Sequence, residues 1–321
     1  MRWAEMSDLV PGPGEALVAI DAASLNFPDL LVIAGKYQWQ PAPPFTPGAE
    51  FAGTIAALGA DTIGFGIGDA VMTVGTTGGF ATHACVPVGK LKRVPRGMSP
   101  IEASVLLVAY GTAYHALIDR GALRAGETVL VLGAAGGVGT AAIQVAKASQ
   151  ARVIAAVSSD TKAALCRELG ADATINYVAD DLRATLAAIA PAGPDVIFDP
   201  VGGALTEPAF RSIAWRGRYL VIGFAGGYIP RLPLNLALLK GASIVGVFWG
   251  AFDSREPGAS QALVEQLAHG HALGWLRPTI DRVLPMADLP AACALMESRA
   301  VHGKIVLIND PSLASSRPSE P

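Results

Sequence analysis

Cysteine is scarce in this chain of 321 residues: Cys85, Cys166 and Cys293 are the only three, and they lie far apart. An odd, dispersed set provides neither a disulfide framework nor the paired spacing of a cysteine zinc site. The five histidines do not change this. His83, His269, His271 and His302 show no ligand spacing with any cysteine, and His115 falls in a helix-compatible stretch where packing or capping fits better than catalysis. Charge is thin as well, at 16% of residues with a net of −3 and no basic run, which gives no reason to expect a nucleic-acid partner. No apolar run reaches roughly eighteen residues without a breaker, so no membrane span is expected. The opening Met1-Arg2-Trp3-Ala4-Glu5 is unlike a signal peptide, and the cytoplasm is the expected compartment.

What the chain has is apolar material, 51% of residues, enough for a large core, and a length suited to about two domains. Residues 128–139, T-V-L-V-L-G-A-A-G-G-V-G, run from an apolar strand into a glycine turn, and an alanine-rich helical segment follows. Strand, glycine turn and helix start in that order hold the pyrophosphate of a dinucleotide. Gly136 and Gly139 lack the Cβ atoms that would keep a phosphate from the backbone. The helix beginning near Val138 offers unpaired N–H groups and a positive dipole end. Ala134 occupies the first glycine position of the strict fingerprint, so the turn, with Ala135 and Gly137, is a relaxed form. Further apolar strands are expected at 152–157, 195–198, 219–223 and 243–247, with helices at 161–169, 180–189 and 204–214. Continuous apolarity fits strands covered on both faces, which makes residues 108–264 a doubly wound parallel α/β domain.

The end of the second strand bears on the cofactor. NAD sites place an acid there for the ribose hydroxyls. This chain has Ser158 and Ser159, with Lys162 a helical turn on, and that set suits a 2′-phosphate, hence NADPH. Asp160 lies past the strand end, where it fits a helix cap.

Upstream, short strand-like runs at 16–20, 52–58, 70–73 and 80–86 alternate with Gly and Pro clusters, as in an irregular β-barrel. A long helical segment, 100–120, leads out of them. After residue 264 the chain returns, with strands at 282–284 and 304–308 and a helix at 289–298. The Ser- and Pro-rich residues 310–321 are expected to be disordered.

These motifs carry a resemblance. P-G-P-G-E-A-L-V at 11–18, L-N-F-P-D at 25–29, P-G-A-E-F-A-G at 47–53, the glycine turn and H-G-K-I-V-L at 302–307 resemble, in order, the medium-chain dehydrogenase/reductases. The branch most similar is the zinc-free NADPH:quinone oxidoreductases, the zeta-crystallin-like group. The resemblance implies a Rossmann-type doubly wound sheet at 108–264 and a GroES-like irregular β-barrel domain made of 1–107 and 265–309. Zinc-dependent relatives carry a Cys at the position of Asn26 and G-H-E at Gly48-Ala49-Glu50, so no zinc is expected here. A hairpin usual in the family ahead of residues 2–10 is missing, which implies either a start placed too late or a truncated chain, with an unpaired sheet edge in either case.

By the same resemblance, Asn26 lies near nicotinamide and substrate, and Tyr37 corresponds to a proton donor of related enoyl reductases. A phenol neutral near pH 7 suits that role. The aromatic, Pro-rich surroundings of Tyr37 equally suit the lining of an apolar pocket. Asp29 either bonds this loop or caps a helix begun by Pro28. Tyr177 corresponds to a tyrosine near the 2′-phosphate. Gly223 and Phe224, then Phe248, Trp249 and Gly250, follow strands whose carboxyl ends face the ligand crevice, as does the turn at 199–203. The function implied is hydride transfer from NADPH to a quinone or related conjugated carbonyl. The alternatives are an enoyl reductase for a thioester or enone, and a non-catalytic NADPH-binding protein. A homodimer paired through the edge strand at 243–247 is also implied.

Overall fold

The structure is a computed structural model that describes residues 2–75 and 77–315. Two compact units divide it: residues 109–279 form one, and the segments before and after them form the other.

The first unit is a seven-stranded sheet organised on one long strand. β1 (Glu15–Leu25) alternates buried and part-buried residues at its start and is buried on both faces at its end. The helix α1 (Phe27–Ile33) follows at once. Then come β2 (Glu50–Leu58), β3 (Ala70–Val74), β4 (His83–Pro87), β5 (Leu91–Arg93) and the short α2 (Pro100–Ala103). β1 pairs with β2 along one side. Its other side pairs with β4 over residues 15–19 and with a strand from the chain's end over residues 22–25. Val18, Ile20, Leu25, Phe51, Ile55 and Val71 form the centre of the core that results.

The second unit opens on α3 (Gly111–Tyr114), flanked by wide π-helical turns at Leu106–Tyr110 and His115–Arg120. It continues through β6 (Thr128–Leu132), α4 (Gly137–Ala148), β7 (Arg152–Val157), α5 (Asp160–Glu168) and β8 (Ala173–Asn176). Next are α6 (Leu182–Ile189), β9 (Val196–Asp199), α7 (Thr206–Arg211) and β10 (Arg218–Val221). α8 (Asn235–Lys240), β11 (Ser243–Gly246), α9 (Trp249–Arg255) and α10 (Pro257–Ala272) complete it. All six strands are parallel, in the order β11-β10-β9-β6-β7-β8. The connection direction reverses between β6 and β9, and ligands of such sheets bind outside the strand carboxyl ends at that point. Returning to the first unit, β12 (Ile280–Pro285), α11 (Leu289–Glu297) and β13 (Lys304–Ile308) close its sheet, with β13 against β1.

The mixed α/β architecture agrees with the fold class expected, and several local readings need correction. The segment 100–120 is not one helix. A capping box between Ser99 and Glu102 starts α2, and the ladder then widens around Gly111, where the Trp249 ring lies so close that a Cβ would sit 2.7 Å from it. Of the strand expected to be covered at 243–247, only Val247 is buried. β11 is an end strand paired to β10 alone, and Ile244 is 43% exposed. Its apolarity is that of an edge. β8 and β5 were too short and too mixed to be read as strands. The return to the first unit comes at residue 280 rather than 265, because the amphipathic α10 packs within the second unit. Of the tail, Pro311–Ser315 forms a 3₁₀ turn instead of lacking structure, and residues 316–321 lie outside the described residues.

Candidate active site

The glycine turn joins β6 to α4 at the switch point. Gly133 has φ +59°, which reverses the chain, and Gly136 N–H donates to the Gly133 carbonyl at 3.0 Å. The helix begins at Gly137, so the amides of Gly137, Val138 and Gly139 have no i−4 carbonyl to bond. Ala134 and Ala135 are buried, while Gly136, Gly137 and Val138 retain exposure. Any anion at this turn therefore meets the second half of the motif. The two glycines invoked for phosphate approach do different work. A Cβ on Gly136 would touch only the Gly133 oxygen, at 3.4 Å. One on Gly139 would sit 2.5 Å from that oxygen and 2.7 Å from the Ala134 backbone, so Gly139 is required by the fit of helix against turn.

At the end of β7, Ser159 caps α5 by accepting the Lys162 N–H at 3.3 Å. Lys162 Nζ reaches Ser158 Oγ at 3.5 Å. Ser158, Ser159 and Lys162 are thus brought together. Asp160 is not the cap. It is the first helical residue, and its carboxylate accepts from Asn176 Nδ2 at 3.1 Å. Tyr177 follows β8, half-buried, with its N–H donating to the Val157 carbonyl at 3.0 Å, one residue before Ser158.

The loop after β9 is organised by Asp199, whose side chain is 2% exposed. Its Oδ1 accepts from the amides of Val201 and Gly202, each at 2.8 Å. Its Oδ2 accepts from Thr206 Oγ1 at 3.2 Å and from the Tyr219 hydroxyl. Burial and the neighbouring Asp199 raise the Tyr219 phenol far above its ordinary value, so it stays a donor. Phe224 lies against this loop, where a Cβ on Gly202 would come within 2.8 Å of its ring. Gly223 and Phe224 follow β10 at the same end of the sheet. Of the residues after β11, Phe248 is 54% exposed, whereas Trp249 is buried against Gly111 and packs beside Phe252 and His115. His115 is itself buried, stacked on Phe252 at 4.1 Å, with Nδ1 2.8 Å from the Asp119 carboxylate.

In the first unit, Asn26 sits in a buried polar cluster. Its backbone N–H donates to Asp29 Oδ2 at 2.8 Å, and its carbonyl accepts the Asp29 N–H at 3.0 Å, which starts α1. Of the two readings of Asp29, the capping one describes its contacts; Oδ1 further accepts the Ala49 N–H at 2.9 Å. The Asn26 side chain turns inward, with Nδ2 3.2 Å from Ser24 Oγ and 3.3 Å from Glu50 Oε2. Glu50, wholly buried, also accepts from Ser24 Oγ at 2.6 Å and from the Val108 N–H at 2.7 Å. Lys304 Nζ completes the cluster at 2.5 Å from Asn26 Oδ1 and 3.8 Å from Glu50 Oε2. Burial raises the Asp29 carboxyl to about 7, against the pull of its two N–H donors and of Lys304. Burial likewise raises Glu50 and lowers Lys304. Tyr37 lies beyond α1, half-buried, and its phenol is raised by burial and then by the negative charge of Asp29.

Sequence reasoning quoted Lys304 only within a motif and missed Ser24, Thr206 and Tyr219. Lys304 did leave a signal: a lysine opening an apolar strand, K-I-V-L-I, every residue of which is buried. Among the described residues no group of three or more His, Cys, Asp or Glu side chains is placed to hold a metal ion. The Glu50 carboxylate is engaged by Ser24, Asn26 and Val108 and faces an ammonium, a donor set that does not fit zinc.

Residues 12–96 match the family model for the alcohol dehydrogenase GroES-like domain, and residues 137–265 that for zinc-binding dehydrogenase. The chain is 36% identical over 298 residues to quinone oxidoreductase-like protein 2 of Mus musculus, covering 92% of this chain and 85% of that protein. It is 35% identical over 322 residues to prostaglandin reductase-3 of Bos taurus, covering 95% and 84%. A solved structure of mycobacterial Rv1454c complexed with NADPH is similar at a TM-score of 0.89 and 27% identity, over 96% of this chain and 95% of that one. The chain belongs to the medium-chain dehydrogenase/reductase superfamily, in its quinone oxidoreductase-like branch. That is a family of oxidoreductases. No helix among the described residues is long and apolar enough to cross a membrane.

Proposed function

We propose that the protein is an NADPH-dependent, zinc-independent oxidoreductase that reduces quinones or related conjugated carbonyls. The observation that carries the reading is the contact of Lys162 with Ser158 at the end of β7, in the same sheet as an accessible glycine turn. One cation and two hydroxyls suit a 2′-phosphate, and no acid takes the place they occupy.

In this reading the amides of Gly137 and Val138 receive the pyrophosphate, with Ala134, Ala135, Gly136 and Gly139 shaping the turn beneath. Ser158, Ser159, Lys162 and Tyr177 receive the adenosine end. The backbone at Gly223, Phe224, Phe248, Trp249 and Gly250 borders the remainder. Bound NADPH supplies a hydride, two electrons and one proton, to the electron-poor acceptor. Tyr37 supplies the balancing proton from its hydroxyl to the reduced acceptor. Its raised pKa keeps the phenol protonated until negative charge develops beside it. Asn26 fixes the start of the segment that carries Tyr37. Reduction of an enone or enoyl thioester is the second reading, favoured by the same protonated phenol, because an enolate requires a proton whereas a released quinol can take one from water.

The experiment is NADPH oxidation against matched quinone and enoyl-CoA panels, with NADH as control. Turnover of quinones with NADPH preferred is expected. Enoyl-CoA turnover without quinone turnover would move the protein to the second reading. NADPH binding without turnover of either panel would overturn the enzymatic reading.

We also propose a homodimer through β11. This end strand carries exposed Ile244 and follows α8, whose segment exposes Leu234, Leu238 and Leu239, while the exposed Trp215 ring lies beside Gly241. Light scattering should give twice the chain mass, and Ile244→Lys should halve it; a wild-type monomer at micromolar concentration would remove the proposal.

A further inference from the structure

Lys304 is the first residue of β13, and its side chain is only 6% exposed. Its neighbours in the strand, Ile305, Val306, Leu307 and Ile308, are all core residues. Nothing in the sheet asks for a cation there. A buried ammonium loses hydration, and apolar residues in place of both it and its carboxylate partner would fold at least as well. The ammonium is instead aimed at one target. It donates to the Leu25 carbonyl at 3.1 Å and to Asn26 Oδ1 at 2.5 Å, with the Glu50 carboxylate 3.8 Å away as counter-charge.

This arrangement allows the Asn26 carboxamide a single orientation. With a positive donor on Oδ1, Nδ2 must face the Ser24 carbonyl (3.3 Å), Ser24 Oγ and Glu50, all acceptors. A flipped amide would set its NH₂ against an ammonium and its oxygen against a carboxylate, two repulsions among buried groups. The backbone of Asn26 in turn fixes Asp29 and the start of α1, and Tyr37 lies just past the far end of that helix. The cluster spans β1, α1, β2 and β13, so the orientation at residue 26 is decided from residue 304.

We propose that Lys304 is a positioning residue for the reaction: its ammonium locks the Asn26 carboxamide and the adjoining backbone, and through them the segment that presents Tyr37 to the acceptor. The proposal rests on the oxidoreductase reading. It assigns Lys304 no proton transfer and no contact with the acceptor.

A double-mutant cycle tests it, with Lys304→Met, Asn26→Ala and the two combined, each assayed for kcat on the best acceptor and for NADPH affinity by fluorescence. If Lys304 acts through Asn26, Lys304→Met alone lowers kcat about tenfold, and in the Asn26→Ala background it lowers kcat less than about twofold further. NADPH affinity changes less than kcat throughout, since the residues assigned to its phosphates lie in the other unit. Lys304→Arg, which keeps the charge but spreads it over a planar group, recovers only part of the loss. Should Lys304→Met fail to fold because Glu50 is left unpaired, Lys304→Met with Glu50→Gln replaces it in the cycle. Additive losses, or a Lys304→Met enzyme as active as wild type, would overturn the positioning role while leaving the reaction assignment intact. A wild-type protein silent on every acceptor would overturn the reaction assignment and this role with it.

Discussion

The glycine turn after β6 and the polar cluster around Asn26 are built from opposite materials. The turn occupies residues 133–139 and offers backbone N–H groups, with glycines keeping space clear. The cluster offers side chains from four elements, and each polar atom in it is already the partner of another. A site made of backbone is damaged by adding an atom. A site made of interlocked side chains is damaged by removing one, because the group left behind is buried and unpaired. The same protein should therefore respond in opposite ways to enlargement and to truncation in its two units.

The largest effect expected is from a deletion in the first unit. Tyr37→Phe removes one oxygen and should lower kcat about a hundredfold or more if the phenol delivers the proton, with KM for NADPH unchanged. Steady-state assays decide this, and a kcat within twofold of wild type would leave Tyr37 as pocket lining.

Enlargement in the second unit comes next. Gly139→Val forces the turn away from α4, an overpacking cost of about 1–3 kcal/mol. Spent wholly on the binding turn, that corresponds to roughly a tenfold to hundredfold loss of NADPH affinity by fluorescence titration. Gly136→Ala, whose Cβ would make one ordinary contact, should be far milder in stability. Equal tolerance of both substitutions would break the comparison.

Lys162→Ala is a truncation in the backbone-built unit and should act only on the cofactor's phosphate. A loss of about tenfold in NADPH affinity, with NADH affinity unchanged, is expected for one charge-assisted contact. Equal losses with both cofactors would show that Lys162 serves the fold of α5 instead.

The smallest effect concerns pH. Burial raises the Asp29 carboxyl to about 7 from an ordinary 3.8. The folded protein holds a proton that the unfolded chain releases first. The stabilisation from protonated Asp29 is thus complete below about pH 4 and is lost as pH rises through about 7. Urea unfolding at pH 5 and pH 8 should show stability falling across that window, and Asp29→Asn should flatten the fall. A parallel offset with no change of slope would place the titration elsewhere.

These contrasts follow what could be read in the sequence. The strand at 128–132, the glycine turn and the helix after it were legible because they are contiguous, and their chemistry depends on which positions lack a side chain. β13 was read at its observed bounds, and β7 likewise, since each is a short apolar run between breakers. β11 was misjudged for the same reason that β7 was found: apolarity identifies a strand but does not say whether a neighbour covers it. The 100–120 segment was read as a single helix because no breaker residue marks the turn after Ala103 or the widened turns on either side of α3.

By itself the sequence determined the two kinds of sheet, the turn at the head of α4 and the grouping of Ser158, Ser159 and Lys162, all of them matters of residues within a few positions of one another. Tertiary structure alone decided that Asn26 faces Lys304, 278 positions away. It also decided that Glu50 is spent on Ser24, Asn26 and the Val108 amide, and that Asp199 is held by Tyr219. The physical reason is one of range. Backbone geometry is written by neighbours, whereas a buried polar side chain takes its orientation from whichever partner the packed chain brings to it.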